Sequence, residues 1–95
     1  MKNKDDCKYV YDLVSQRIKL FRKFRNLTQE ELAEESNYTR GLIGNIESIK
    51  TEQTFSIAVL YAFAKVLDIP LELFFKEDIS KELSLLGYEE EDEDY

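Results

Sequence analysis

The stretch that decides the fold is QEELAEESNYTRGLIGNIES, residues 29–48. The preceding Thr28 is a good helix N-cap, and Glu31 completes a capping box three residues later. Asn37 follows where the chain must turn, and Asn tolerates the left-handed backbone that ends many helices. Thr39 then offers a second N-cap. The pattern predicts two short helices joined by a tight turn.

The apolar positions of this stretch predict how the two helices pack. In the first helix, over 29–36, Ala33 is small enough for a second helix to cross closely. In the second helix, over 40–48, Ile43 and Ile46 lie three residues apart and are expected to face the core. Such a pair can place its second helix in the major groove of DNA. An ordinary helical hairpin without a ligand is the alternative.

Further segments place this stretch in a longer pattern. In order along the chain they are RIKLFR (17–22), LTQEELA (27–33), IGNIE (43–47) and FAKVLDIP (63–70). Their order and spacing resemble the phage-repressor (Cro/CI-type, also called XRE-type) helix-turn-helix family over about residues 14–75. The resemblance implies an all-α fold, a compact five-helix, lambda-repressor-like DNA-binding domain. It also implies a sequence-specific DNA-binding transcription regulator, most simply a repressor.

The second helix of the motif supplies the candidate base contacts, because it enters the groove N-terminal end first. These candidates are Thr39, Arg40, Gly41 and Asn45. Arg can bridge guanine O6 and N7, and Asn can bridge adenine N6 and N7. Because Gly41 and Gly44 have no side chains, this face offers few groups that could contact a base. The two glycines either allow close approach of the backbone to DNA or mark a reading surface that has lost its function.

Phosphate contacts are implied mainly by the family resemblance. The residue that matches Gln29 binds phosphate at the start of the motif's first helix. Arg22 is expected to pair with Glu47 beneath the motif and to be a phosphate candidate as well; a purely structural ion pair is the alternative. Lys50, in the polar connection after the motif, is a further phosphate candidate, with a solvated loop lysine as its alternative.

Composition indicates one small domain without catalytic chemistry. The chain has 95 residues, 43% of them hydrophobic, which suits a single core. It contains one cysteine, Cys7, and no histidine, so an internal disulfide, a conventional zinc site and a Ser-His or Cys-His pairing are not expected. No cofactor is predicted. The sequence shows neither a long apolar run nor a signal-peptide pattern, and we expect a cytoplasmic protein that does not enter a membrane.

The net charge of −7 is unevenly distributed. Residues 1–75 contain eleven basic and eleven acidic residues, whereas residues 76–95 contain two basic and nine acidic ones. Within the first part, residues 17–25 hold five basic side chains and no acidic one. This basic segment either meets DNA phosphates or is simply a solvated basic face.

Helical periodicity outlines the remaining elements. A first helix is predicted over 6–25, a fourth over 55–67, a short fifth from Pro70 to about Phe75, and an additional C-terminal helix within 77–86. The apolar residues of the fourth helix that we expect to face inward are Ile57, Leu60, Tyr61, Ala64 and Leu67.

The chain is thus divided into a helix-turn-helix domain, residues 1–75, and an acidic extension, residues 76–95, predicted to be partly helical and then disordered. Three interpretations of the extension are open. It is a solubility tail, it folds back on the basic first helix, or it binds a basic protein partner.

Two classes of function follow. The first is a homodimeric regulator that binds double-stranded DNA at a palindromic site. The second is a protein-interaction or antitoxin-like module that keeps the fold with weak or no DNA binding.

Overall fold

The structure, a computed structural model, describes residues 4–48 and 54–87. These residues form five α-helices and one 3-10 helix, which confirms the all-α prediction. In chain order the elements are α1 (Lys4–Phe24), α2 (Gln29–Ser36), α3 (Arg40–Glu47), α4 (Ile57–Leu67), the 3-10 helix (Leu71–Phe74) and α5 (Ser80–Leu86).

Local capping explains where the helices differ from the predicted bounds. α4 begins two residues late because the Ser56 hydroxyl accepts a hydrogen bond from the backbone N–H of Val59 at 3.1 Å. The predicted fifth helix is a single 3-10 turn after Pro70. The additional C-terminal helix exists but is only seven residues long. It follows Asp78, whose carboxylate accepts hydrogen bonds from the backbone and hydroxyl of Ser80.

One apolar core joins these elements. α1 runs through the molecule and packs against α3, α4 and the 3-10 helix, while α2 packs against α3 and α4. Phe21 of α1 meets Phe74 edge to face, with ring centroids 5.0 Å apart. The buried apolar residues are Val14, Ile18, Phe21, Leu32, Ala33, Ile43, Ile46, Leu60, Phe63, Ala64, Leu67, Ile69, Leu73, Phe74 and Ile79.

The inward face predicted for α4 was wrong at two positions. Ile57 and Tyr61 are 62% and 55% exposed, whereas Phe63 is completely buried. Ten of the eleven residues of α4 are apolar, so periodicity alone could not select its buried face. Packing against α1 and α2 selects the arc that contains Leu60, Phe63 and Leu67 instead.

The first part of the acidic extension packs on α1. Arg17 donates hydrogen bonds to the backbone carbonyls of Lys76 (3.0 Å) and Glu77 (2.6 Å), and Tyr9 donates to the Glu77 carboxylate. Burial lowers the pKa of the Arg17 guanidinium below its ordinary value, against the opposing effects of Tyr9 and Asp78. The acidic run at 89–94 lies outside the described residues. In the part of the chain that is described, no helix combines the length and apolarity needed to cross a membrane.

Candidate nucleic-acid interface

Both helices of the motif begin at a threonine. The Thr28 hydroxyl accepts a hydrogen bond from the backbone N–H of Glu31 at 3.0 Å, and the Glu31 carboxylate accepts one from the backbone N–H of Thr28 at 2.8 Å. The Thr39 hydroxyl accepts one from the backbone N–H of Leu42 at 3.1 Å. Asn37 ends α2 in the left-handed region, at φ 66°. The predicted caps and turn are therefore confirmed, and they fix where α2 and α3 begin.

The inner side of the motif is fully packed. Ala33, Ile43 and Ile46 are at most 4% exposed, as predicted. In the turn, the Tyr38 ring meets Phe63 of α4 edge to face, with centroids 5.9 Å apart. The turn and both motif helices are thus held against α4.

A buried ion pair joins α1 to the last residue of α3. Arg22 donates to Glu47 through Nε at 2.7 Å and through Nη2 at 2.8 Å, in a bidentate arrangement. The two side chains are only 10% and 2% exposed. Arg22 also donates through Nη1 to the backbone carbonyl of Leu27 at 2.7 Å. The predicted pair is confirmed, and the additional phosphate contact of Arg22 stays a prediction.

Gln29 extends this network to the first residue of α2. Its side-chain Nε2 donates to Glu47 Oε1 at 3.1 Å. One carboxylate therefore ties the end of α3 to α1 and to the start of α2. Sequence reasoning missed this contact, because eighteen residues separate the two side chains along the chain. The predicted phosphate contact of Gln29 is not tested by this bond and stays a prediction.

The four candidate base contacts lie together on the outer side of the motif. Thr39, Arg40, Gly41 and Asn45 are all exposed, the first three at the start of α3 and the last one turn later. Glu47, the carboxylate shared by the buried contacts, lies at the end of the helix that carries these outer residues. Its bonds to Arg22 and Gln29 therefore help to hold that helix in place.

Packing among the described residues does not require glycine at the two glycine positions of α3. A Cβ atom built on Gly41 would lie 4.0 Å from Thr39 Oγ1, and one on Gly44 would lie 3.6 Å from Gln29 Oε1. Both are ordinary contacts, although glycine costs a helix about 1 kcal/mol relative to alanine. Contacts among the described residues therefore do not explain glycine at these positions.

The basic segment of α1 separates into arginines with internal partners and exposed lysines. Arg17 binds the carbonyls of residues 76 and 77, and Arg22 binds Glu47. Arg25 donates to the backbone carbonyls of Leu67 (2.7 Å) and Asp68 (3.0 Å) at the end of α4. Among the basic residues of this segment, Lys19 and Lys23 are the exposed ones. Most of its arginine donors therefore stabilise the fold, which sequence reasoning did not anticipate for Arg17 and Arg25.

The outer surface of α2 has the opposite charge. Its glutamates are all exposed: Glu30, Glu31, Glu34 and Glu35. Arg40 is the single basic residue between 29 and 47. Electrostatic attraction to phosphate near α2 is therefore weak.

Lys50, the remaining phosphate candidate, lies outside the described residues. Within 4–48 and 54–87, no group of three or more His, Cys, Asp and Glu side chains is placed to hold a metal ion.

Comparison with known proteins agrees with this geometry. A family model described as helix-turn-helix matches residues 18–74, and the chain belongs to this XRE-type helix-turn-helix family. The family consists of DNA-binding transcription regulators rather than enzymes. The five-helix, lambda-repressor-like fold is thereby confirmed, with α1–α4 and the 3-10 helix as its core.

Solved structures similar to this chain include two restriction-modification controller proteins. The restriction-modification controller protein C.Esp1396I is 32% identical, with a TM-score of 0.65, over 80% of this chain and 96% of that one. The restriction-modification controller protein C.AhdI from Aeromonas hydrophila is 28% identical, with a TM-score of 0.62, over 68% of this chain and 96% of that one. A search of curated proteins gave no significant match.

Proposed function

We propose that the protein is a sequence-specific transcription regulator, most simply a repressor, that places α3 in the major groove of double-stranded DNA. The observation that carries this proposal is the exposed group Thr39, Arg40, Gly41 and Asn45 on a helix whose far end is held by the buried Glu47. A recognition surface must present its side chains in one orientation, and a buried support provides that rigidity.

The proposed base readout follows from the chemistry of the exposed side chains. Arg40 donates two hydrogen bonds to guanine O6 and N7, and Asn45 pairs with adenine N6 and N7. Each such contact contributes about 1–3 kcal/mol of discrimination against the wrong base. Thr39 and Gly41 border these contacts, and the missing side chain of Gly41 lets the backbone approach the base edges.

The proposed phosphate contacts position the helix without reading sequence. Gln29 stands at the N-terminus of α2, where backbone N–H groups favour an anion. Lys50 contributes from the connection after α3. Arg22 contributes mainly by holding Glu47 in place. We propose in addition that the edge of its guanidinium contacts a phosphate.

A single copy with so few cationic contacts is a weak DNA binder, and we propose a homodimer on a palindromic site with half-sites about one turn apart. The similarity to two restriction-modification controller proteins supports the further proposal that this chain is such a controller as well. We place this activity in the cytoplasm. Residues 1–75 form the DNA-binding domain and residues 76–95 an acidic extension.

Selection from a random pool of double-stranded DNA, at one low and constant salt concentration, tests this proposal. The wild-type chain should enrich a palindromic sequence. Arg40→Ala/Asn45→Ala should enrich none and keep the helical circular dichroism of the wild type. A matched control, Lys65→Ala on α4, should select the wild-type site. Enrichment of the same site by the double variant would disprove the assignment of the reading face.

The exposed glutamates of α2 favour a second candidate function, a protein-interaction or antitoxin-like module. Glu30, Glu34 and Glu35 repel DNA phosphate and suit a basic protein partner, as does the acidic extension. No enrichment of any sequence by the wild-type chain would support this function over DNA readout.

A further inference from the structure

We propose that the side chain of Gln29 reads a base of the DNA site. The oxygen of its amide, Oε1, accepts a hydrogen bond from the exocyclic amino group of an adenine or a cytosine in the major groove. The inference rests on the proposed function, because it adds one specificity-determining residue to the exposed outer side of α3. Its support comes from the hydrogen bonds of the amide and the open space beside it.

The first support is the orientation of the amide. Gln29 donates through Nε2 to Glu47 Oε1 at 3.1 Å. The Glu47 carboxylate also accepts from Arg22 Nε at 2.7 Å and from Arg22 Nη2 at 2.8 Å. A carboxylate paired with an arginine accepts hydrogen bonds and donates none, so the amide turns its nitrogen toward Glu47. The amide oxygen is therefore directed away from this carboxylate.

The second support is the burial of the group that holds the amide. The side chains of Glu47 and Arg22 are only 2% and 10% exposed. Arg22 is fixed in turn by its hydrogen bond to the backbone carbonyl of Leu27 at 2.7 Å. Turning the Gln29 amide by half a rotation would bring its oxygen against the carboxylate, acceptor facing acceptor, which is unfavourable. The oxygen is thus presented in one direction before any ligand binds.

The third support is the open space beside the oxygen. A Cβ atom built on Gly44 would lie 3.6 Å from Gln29 Oε1, and no atom of another described element lies within 4 Å of that position. Glycine therefore leaves free the space that a side chain would take next to the oxygen. A donor group from outside the molecule can enter this space.

The fourth support is the place of the oxygen relative to the candidate base contacts. Gly44 follows Arg40 by four residues and Gly41 by three, so it adjoins both on the same side of α3. The distance from Arg40 to Gly44 along the helix is about 6 Å. Neighbouring base pairs are about 3.4 Å apart. We therefore expect the oxygen beside Gly44 to meet a base within two steps of the one that Arg40 contacts.

The chemistry of the oxygen determines its partner. An amide oxygen only accepts, and the donors that the major groove offers are the N6 amino group of adenine and the N4 amino group of cytosine. A phosphate group offers oxygens alone, so Oε1 does not bind it. The phosphate proposed at the start of α2 is then bound by backbone N–H groups of the first turn. The two contacts use different atoms of Gln29 and are compatible.

Functional-group substitution in the selected DNA site tests the inference. Each adenine is replaced in turn by purine, which lacks the N6 amino group, and each cytosine by 2-pyrimidinone, which lacks the N4 amino group. The wild-type chain should lose affinity about 2- to 12-fold at one base of each half-site, the range for one neutral hydrogen bond. Gln29→Ala should bind the natural and the substituted base equally at that position. The responding base shows whether adenine or cytosine supplies the donor.

Three further variants control this experiment. Glu34→Gln, at an exposed position of the same helix, should respond to the substituted base as the wild type does. Gly44→Ala places a methyl group in the space beside Oε1 and should reduce the response at the same base. Gly41→Ala places its methyl group near Thr39 Oγ1 instead and should keep the response, whatever its effect on overall affinity. Equal responses of the wild type and Gln29→Ala at every base would overturn the inference.

The orientation of the amide is measured without DNA by nuclear magnetic resonance. The Nε2–H groups of Gln29 should exchange with solvent more slowly than those of Gln16, which is exposed on α1. Equally fast exchange of the two side chains would overturn the inference, because Glu47 would then not hold the amide.

Failure of this inference is distinguishable from failure of the proposed function. A wild-type chain that selects a site, together with Gln29→Ala that weakens binding uniformly at all sites, assigns Gln29 to phosphate alone. That result overturns the inference and keeps base readout by α3. A wild-type chain that selects no sequence disproves the proposed function, and this inference with it.

Discussion

The exposed sides of α3 and α4 have opposite chemistry. α3 presents an arginine, an asparagine and a glycine, with Gly44 half-buried beside them, whereas the first half of α4 presents isoleucine, alanine and tyrosine. The first surface suits base edges and the second suits another apolar surface. The amphipathic pattern therefore marks an interior face in α3, but in α4 apolar residues also occupy a side that the described residues leave exposed.

The two surfaces also differ in their support. α3 is attached by the buried contacts of Glu47 with Arg22 and Gln29. α4 is attached by close packing of Leu60, Phe63 and Leu67. A polar network fixes orientation and is costly to break, whereas the exposed apolar side of α4 contributes little to the fold of one chain. Substitutions should therefore have different consequences on the two helices.

The largest effect should come from breaking the support of α3. Arg22→Ala leaves Glu47 charged and buried without its bidentate partner, and we expect a loss of about 3–5 kcal/mol in the free energy of unfolding. Urea denaturation followed by circular dichroism measures this loss. The neighbouring Lys23→Ala, at an exposed position, should change stability by less than about 0.5 kcal/mol. Equal stability of the two variants would contradict the importance of the buried pair.

Single substitutions on the outer side of α3 should show which base each side chain recognises. Arg40→Ala should weaken binding to the selected site by about 1–3 kcal/mol and relax the preference at a guanine. Asn45→Ala should have a comparable effect at an adenine one turn along the helix. Competition binding with base-substituted sites measures both. A uniform loss across all sites would indicate that these residues contact phosphate rather than bases.

The glycines of α3 should show opposite effects on folding and binding. Gly41→Ala and Gly44→Ala should each stabilise the free protein by up to about 1 kcal/mol, because the helix gains propensity and the new methyl group has room. The same changes should weaken DNA binding if the backbone approaches the bases closely. Ala58→Gly on α4 is the matched reverse change and should destabilise the fold without altering base preference. Unchanged DNA affinity of both alanine variants would argue against close approach.

The smallest effect concerns the exposed lysines of α1. The logarithm of the DNA-binding constant falls linearly with the logarithm of the salt concentration. Lys23→Ala should make this slope less steep by about 1, if its ammonium group neutralises one phosphate. Arg25→Ala should leave that slope nearly unchanged and lower stability instead, since its guanidinium holds the end of α4. Titrations at several salt concentrations separate the two. An unchanged slope for Lys23→Ala would restrict the phosphate contacts to Gln29 and the residues after α3.

The local structure of the motif could be predicted from the sequence because its signals are short-range. Thr28, Asn37 and Thr39 act within three or four residues, and α2 has the predicted bounds. The Arg22–Glu47 pair followed from the family resemblance. The prediction failed for α4, because nearly every position there is apolar and tertiary packing alone selects the buried face.

The candidate site was predictable only in part, for the same reason. Exposure of Arg40 and Asn45 follows from their place opposite the apolar positions of α3. The contact between Gln29 and Glu47 depends on how two helices meet, and no local pattern encodes it. The internal roles of Arg17 and Arg25 depend on carbonyl groups that lie more than forty residues away along the chain. Charge counted along the sequence therefore overstated the basic surface available to DNA.

The most direct test of the central claim is guanine-N7 methylation interference on the selected DNA site. Guanine N7 lies in the major groove, where we expect Arg40 to bind it. Methylation of one guanine in each half-site should block binding of the wild-type chain and should make no difference to the residual binding of Arg40→Ala. Identical interference patterns for the two proteins, or no interference with the wild type, would contradict readout of the major groove by α3.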